Sequence, residues 1–157
     1  MTLVVLDTSF LLPFLGIRVR GVDGRVLKRI EELATKRGGG PRLCYHELML
    51  PELAAKAFST SLREGLEAVP EEAIEGFLSI VSGMFIEVLA TTREDLNVAY
   101  ALRLVGHKDF FDCIAYAAAK TRRGRLLTLD RSLRESVEEA GLDTSVLMNQ
   151  REFLALR

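Results

Sequence analysis

Two short apolar runs constrain the fold of this chain more than anything else in it. Leu3-Val4-Val5-Leu6 ends on Asp7-Thr8-Ser9, and Leu126-Leu127-Thr128-Leu129 ends on Asp130. Strands covered on both faces lose the in–out alternation and read as continuous Val/Leu/Ile runs, the habit of parallel sheets flanked by helices. In such sheets ligands gather in the crevice outside the carboxyl ends of the strands. The two aspartates therefore stand where a site would form, at the edge of a low-dielectric core. A carboxylate there needs a cation, a positive side chain or a set of hydrogen bonds to stay ionised. One strand-end Asp is as commonly a helix cap or an Asx-turn; two in the same situation weigh towards a shared site.

The rest of the chain supplies the helices such a sheet requires. Apolar residues Val22, Val26, Ile30 and Leu33 fall on one stripe of a helix predicted from about residue 22 to 37, and Gly38-Gly39-Gly40-Pro41 ends it. A short strand is expected over Arg42 to Tyr45. A helix follows from Glu52 to Ala68, with Pro51 in its first turn, where the missing N–H does no harm. Pro70 opens another helix to about Ser82, and Phe85 to Leu89 reads as a strand. The helix from Thr92 to Val105 is predicted to turn Leu96, Ala99, Tyr100 and Leu104 inward. A further helix from about Asp109 to Thr121 has a centre, Ile114-Ala115-Tyr116-Ala117-Ala118-Ala119, small and apolar enough to lie close on a sheet. Arg125 to Leu129 is a strand, Arg131 to Ala140 a helix and Ser145 to Met148 a last strand. The alternation gives an α/β fold: a parallel β-sheet flanked by α-helices in one domain over residues 1–157, a length that buries about 70% of the unfolded surface.

Composition narrows the function classes. A net charge of −1 argues against a protein that grips nucleic acid with its whole surface. Two basic clusters remain, one of Arg18, Arg20, Arg25, Lys28 and Arg29, the other of Lys120, Arg122, Arg123, Arg125, Arg131 and Arg134, close in sequence to Asp112 and Asp130; solvated helix faces are the ordinary reading of both. Cys44 and Cys113 sit in apolar segments without metal-ligand spacing, as small buried side chains of a reducing compartment do. No basic apolar leader and no run of about 18 uncharged apolar residues is present, so a cytoplasmic protein with no membrane association is expected.

Two further acids fall at helix starts, Glu52 behind Pro51 and Asp112 in the first turn of the Asp109 helix. The helix macrodipole alone favours acids there by about 0.3–1 kcal/mol. If helices follow strands around one sheet, however, Asp7, Glu52, Asp112 and Asp130 converge at one edge. Four carboxylates in one cleft repel unless divalent cations sit among them, and an all-oxygen set selects hard ions such as Mg²⁺ or Mn²⁺. Glu47 competes with Glu52, but on a continuous helix the two would stand about 140° apart. Asp109 is either an N-cap or an outer ligand. His46 and His107 could act as bases, yet a lone histidine is more often structural, and neither is placed in the catalytic set.

These segments, taken in order, resemble a PIN domain, close to the VapC type of toxin ribonuclease. The resemblance is carried by Val4-Val5-Leu6-Asp7-Thr8-Ser9, by Cys44-Tyr45-His46 with Pro51-Glu52-Leu53 after a spacer, by Asp112-Cys113-Ile114-Ala115-Tyr116-Ala117-Ala118-Ala119, and by Leu127-Thr128-Leu129-Asp130. It implies Mg²⁺- or Mn²⁺-dependent cleavage of RNA, with Asp7, Glu52, Asp112 and Asp130 as the metal-binding acids. Thr8, Ser9 and Thr128 would orient them, with Asp109 in support. It also implies a VapB-like antitoxin partner and a homodimer, for which the apolar helices between Ala54 and Leu89 are the expected surface. The alternatives are a DNA nuclease or RNA-processing enzyme on the same fold, a non-catalytic α/β binding module, and a phosphoryl-transfer domain, the last weakened by Asp-Thr-Ser where a paired Asp-x-Asp would be expected.

Overall fold

The computed structural model describes residues 2–35 and 40–156, so the glycine-rich end expected for the first long helix lies partly outside the described residues. Five strands, β1 (Leu3–Leu6), β2 (Arg42–His46), β3 (Glu87–Leu89), β4 (Arg125–Leu127) and β5 (Leu147–Met148), form one parallel sheet in the order β3-β2-β1-β4-β5. β1 is central: Val5 stands beside Cys44 of β2 and beside Leu126 of β4. The chain first builds outward through β2 and β3, then crosses back to lay β4 and β5 on the opposite side. The topological switch point, where a crevice opens, therefore lies between the carboxyl ends of β1 and β4.

Both faces of the sheet are covered, and the strand residues divide between them with a period of two. Val4, Leu6, Leu43, Tyr45 and Leu127 point into one core with α1 (Thr8–Leu11), α2 (Gly24–Thr35), α3 (Leu50–Arg63), α4 (Glu71–Val81) and α8 (Gln150–Leu154). Val5, Cys44, Leu126 and Leu147 point into the other, with α5 (Arg93–Leu104), α6 (Phe110–Thr121) and α7 (Arg131–Glu139). α6 is buried from Cys113 to Ala119, and its four alanines let it lie directly on the central strands. α1 and the short turn of 3₁₀ helix Leu12–Leu15 were not expected from the sequence; they tuck Phe10, Leu11 and Leu15 under α3 and α4. The turn passes so close to α4 that a Cβ at Gly76 would stand 2.1 Å from the Phe14 carbonyl oxygen.

Most predicted boundaries agree within a few residues, and the departures have local causes. α3 ends at Arg63 rather than Ala68 because Gly65 takes a left-handed φ of +70° and turns the chain. β5 is short because the chain enters it through a 3₁₀ turn, Thr144–Val146. One prediction is wrong in substance: α5 turns Asp95, Ala99 and Leu102 inward, while Leu96, Tyr100 and Leu104 are 47%, 63% and 69% exposed. Apolarity misplaced this helix because its inward face carries a charge. Asp95 closes a capping box with Thr92 and then meets Arg122 at 2.9 Å inside the fold. Cys44 and Cys113 are free and buried, and no helix among the described residues is long and apolar enough to cross a membrane.

Candidate active site

The strand ends and helix starts deliver their acids to the switch point. Asp7 follows β1 directly and is tied to β4 by its own N–H, which donates to the Leu127 carbonyl at 3.1 Å. Asp7 is only 8% exposed. Thr128, just beyond β4, is the hub between the two strand ends. Its hydroxyl donates to Asp7 Oδ2 at 3.0 Å and accepts the Asp130 N–H at 3.0 Å, using both capacities of the group. Asp130 caps α7, with Oδ1 accepting from the Ser132 and Leu133 N–H groups at 2.7 and 3.3 Å. Asp112 lies in the first turn of α6, which Asp109 caps by accepting from the N–H groups of Phe111 and Asp112. Asp109 is thus the N-cap of α6.

Glu52 reaches the same cleft from the first turn of α3. Thr8 donates to its Oε2 at 2.6 Å, and Lys56, one helical turn further on, meets its Oε1 at 2.6 Å. Glu47 is committed elsewhere. It sits in a separate 3₁₀ turn, Glu47–Met49, and its Oε1 accepts from both the N–H and the hydroxyl of Thr91 at 2.7 Å. Ser9 lies on the same turn as Thr8, and none of the bonds that orient the acids involves it.

Electrostatically the cleft is short of positive charge. Burial, followed by the neighbouring charge of Glu52, raises Asp7 to a pKa of about 6 even though Thr128 donates to it and Lys56 stands near. Asp112 is pushed up to about 9, first by burial, then by a proton shared with Asp130 and by the charges of Asp7 and Asp109. Asp130 keeps the negative charge of that pair: burial works against it, but the proton on Asp112 and the N–H groups at the start of α7 hold it below the usual carboxylate range. Among the described residues the lysine of the cleft, Lys56, pairs with Glu52 and acts on Asp7 only as a neighbouring charge.

Two groups that sequence reasoning did not place here complete the arrangement. Lys56 follows Glu52 at the i,i+4 spacing that favours such pairs, a signal the sequence carried. His107 is buried with Nε2 at 3.3 Å from Asp112 Oδ2; Nε2 and one oxygen each of Asp112 and Asp130 all lie within 4.8 Å of one another. His46, by contrast, is structural: its Nδ1 accepts the Leu48 N–H at 3.2 Å, and burial lowers its pKa. Beside the acids a groove of about 290 Å³ runs past Thr128 and Asp130 to Arg131, Arg134 and Asn149.

Comparison with known proteins places this arrangement in a family. The PIN domain family model matches residues 4–137, from β1 into α7. The chain belongs to the PIN domain family. No curated protein sequence matches it. Among solved structures it is similar to VapBC-1 from nontypeable Haemophilus influenzae at 15% identity, covering 96% of this chain and 99% of that one with a TM-score of 0.59. It is likewise similar to PAE2754 from Pyrobaculum aerophilum, at 18% identity over 98% and 95% of the two chains and a TM-score of 0.60. A toxin–antitoxin complex from Klebsiella pneumoniae matches at 13% identity, over 94% and 97%, with a TM-score of 0.57. PIN domains are nucleases, so the acids of this PIN domain converge on an edge where phosphodiester chemistry is expected of the fold.

The donor set suits the kind of ion such chemistry uses. The groups offered are chiefly carboxylate oxygens, hard donors that favour Mg²⁺ or Mn²⁺ over soft-ligand metals. The upward shifts of Asp7 and Asp112 arise because burial and like charge are not compensated by the protein's own cations, the deficit that a divalent ion among them would fill.

Proposed function

We propose that this PIN domain is a divalent-metal-dependent endoribonuclease, the toxin of a type II toxin–antitoxin pair acting in the cytoplasm. The observation that carries the nuclease reading is the convergence of Asp7, Glu52, Asp112 and Asp130 at the β1/β4 switch point with one lysine in contact. In this proposal the four acids would hold Mg²⁺ or Mn²⁺, and the ion, when bound, would supply an activated water and neutralise charge developing on the phosphodiester. Thr128 keeps Asp7 and the Asp130 backbone in register, so the ends of β1 and β4 present their carboxylates as one rigid unit. Thr8 locks one oxygen of Glu52, while Lys56 occupies the other and puts a positive charge at the rim. Arg131 and Arg134, on the groove beside Asp130, are placed to receive phosphates flanking the scissile one.

The toxin role rests on the likeness to VapBC structures and to a toxin–antitoxin complex. An antitoxin would act most simply by laying a segment across the acidic cleft with an arginine among the carboxylates. A homodimer is proposed on the apolar surface left open by α3 and α4, where Phe58, Leu62 and Leu78 are more than half exposed. The central test is Mn²⁺-dependent cleavage of a structured RNA and of the matched DNA hairpin, with Asp7→Asn as control. RNA cleavage that vanishes in the variant supports the reading. Equal activity in the variant removes the metal role, and preference for the DNA hairpin replaces the substrate. For the partner, the decisive observation is a short upstream reading frame encoding a DNA-binding protein whose co-expression silences the nuclease.

A further inference from the structure

His107 is the imidazole that faces the carboxylates of this cleft, and the proposed reaction leaves it without a task. It lies in the loop joining α5 to α6, 6% exposed. The loop is held hard: Gly106 takes a left-handed φ of +93°, the His107 N–H donates to the Leu102 carbonyl at 3.1 Å, and Arg103 donates to the His107 carbonyl at 2.6 Å. Both ring nitrogens are engaged. Nδ1 is 3.0 Å from Ser136 Oγ on α7, and Nε2 is 3.3 Å from Asp112 Oδ2 on α6.

Three features fit a ligand better than a packing residue. First, donors in adjacent positions on an octahedral ion with bonds of about 2.1 Å stand about 3 Å apart, and opposite ones about 4.2 Å. The 3.3 Å between Nε2 and Asp112 Oδ2, in a three-residue set whose donor atoms lie within 4.8 Å of one another, is a separation of that size. Second, a metal-bound imidazole characteristically donates its other N–H to a fixed acceptor, which sets the tautomer and aims the free lone pair. Ser136 Oγ, 3.0 Å from Nδ1, is positioned to be that acceptor in the tautomer that carries the proton on Nδ1. Third, His46 faces a carboxylate that the fold has already satisfied: its Nε2 stands 3.6 Å from Asp95 Oδ2, which accepts from the Thr92 N–H and from Arg122, whereas no arginine or lysine pairs with Asp112 or Asp130 among the described residues.

We infer that His107 is a nitrogen ligand to the divalent ion held by Asp112 and Asp130, and that it biases the site towards Mn²⁺ over Mg²⁺. The inference rests on the metal-dependent reading proposed above. Carboxylate oxygens accept either ion, whereas imidazole suits transition metals, so one nitrogen in an oxygen set tilts the choice.

The test is pulsed electron paramagnetic resonance of Mn²⁺ bound to the whole protein, with Mn²⁺ and Mg²⁺ affinities measured by calorimetry. The chain has two histidines, so the assignment is unambiguous. Imidazole nitrogen modulation is expected in the wild type and absent in His107→Gln, which retains His46. In that variant Mn²⁺ affinity falls more than tenfold, Mg²⁺ affinity falls less, and the Mn²⁺/Mg²⁺ ratio drops. Ser136→Ala leaves the imidazole in place and guards against a His107 variant that fails to fold; it should weaken Mn²⁺ by about tenfold, the usual effect of losing an outer-shell partner. Tight Mn²⁺ binding that Asp7→Asn abolishes, but with no nitrogen modulation in the wild type, overturns the ligand assignment and leaves the carboxylate site standing. Absence of Mn²⁺ binding altogether overturns both.

Discussion

Two acidic sites of this molecule, Asp95 on α5 and the acids of the switch point, are completed in opposite ways. On α5, Asp95 is wholly buried, yet every oxygen is answered: Arg122 donates at 2.9 and 3.1 Å, Thr121 at 2.6 Å and the Thr92 N–H at 2.9 Å. Burial penalises its charge, but Arg122 and the hydroxyl and amide donors hold it well below the usual carboxylate range. At the switch point the one lysine pairs with Glu52 and reaches Asp7 only as a neighbouring charge, and Asp7 and Asp112 are pushed upward instead. A fold that can neutralise one buried aspartate so thoroughly has left another set incomplete. The difference separates an acid that holds helices together from acids whose charge the protein's own cations leave uncompensated, the state that the proposed metal site requires.

The most forceful way to break the comparison is to remove the charge from each cluster. Asp95→Asn leaves Arg122 without its carboxylate and should cost about 3–5 kcal/mol in urea unfolding, as breaking a buried pair from one side does. Asp112→Asn in metal-free protein should cost little, because it puts a neutral amide where the fold already holds a protonated carboxyl. If the two variants unfold alike, the contrast between the clusters is wrong.

Adding the missing charge should have the next largest effect. A divalent ion at a hundred times its dissociation constant stabilises the native state by about 2.7 kcal/mol, measured as a rise in melting temperature. Asp7→Asn should abolish the rise while Asp95 remains intact. A shift that survives in Asp7→Asn would place the ion elsewhere.

Proton linkage sharpens the comparison further. Asp112 is raised to about 9 in the native state, so the protonated form is the better folded one, and its contribution is lost as pH climbs towards that value. Asp7 behaves likewise up to about 6. Asp95, depressed, contributes in the opposite sense and only as pH falls through the ordinary carboxylate range. Buried His46, whose pKa is lowered, adds stability with rising pH up to its unfolded value of about 6.5. Between pH 6.5 and 9 Asp112 therefore dominates, and metal-free protein should melt at lower temperature as pH rises. Asp112→Asn should flatten that slope; a slope unchanged in the variant would assign it to another group.

How these clusters could be seen in the sequence differs as much as their chemistry. Asp7 and Asp130 were visible because each ends an apolar run, and a strand buried on both faces leaves no other place for a charge to go. Glu52 and Asp112 followed once helices were laid after strands, since helix N-termini open at the same edge. The Asp95 cluster was invisible for the reason it is stable. Its partners, Arg122 and Thr121, lie 27 and 26 positions away, and pairing at that range has no local period. The same blindness turned α5 the wrong way, because Leu96, Tyr100 and Leu104 make a convincing apolar stripe while the true inner face carries Asp95. α1 was missed because four residues ahead of a proline hold too little pattern to register. His107 was read as a lone histidine; only the packing of α7 against α6, which brings Ser136 and Asp112 to its two nitrogens, gives it neighbours.

The smallest predicted effect isolates the cation on each side. Lys56 is nearly half exposed and pairs with Glu52 one turn away on the same helix, an arrangement worth about 0.3–0.5 kcal/mol. Arg122, in contrast, bridges α6 to Asp95 and to the Ala90 carbonyl, so Arg122→Ala should destabilise several times more than Lys56→Ala. Removing Lys56 also takes away the one positive charge that lowers Asp7, which leaves the cleft more anionic and should tighten Mn²⁺ binding even as stability hardly moves. Calorimetric titration of Lys56→Ala alongside its urea unfolding measures both. A loss beyond about 2 kcal/mol would make Lys56 a structural counter-ion of the same kind as Arg122, and the cleft would no longer count as incomplete.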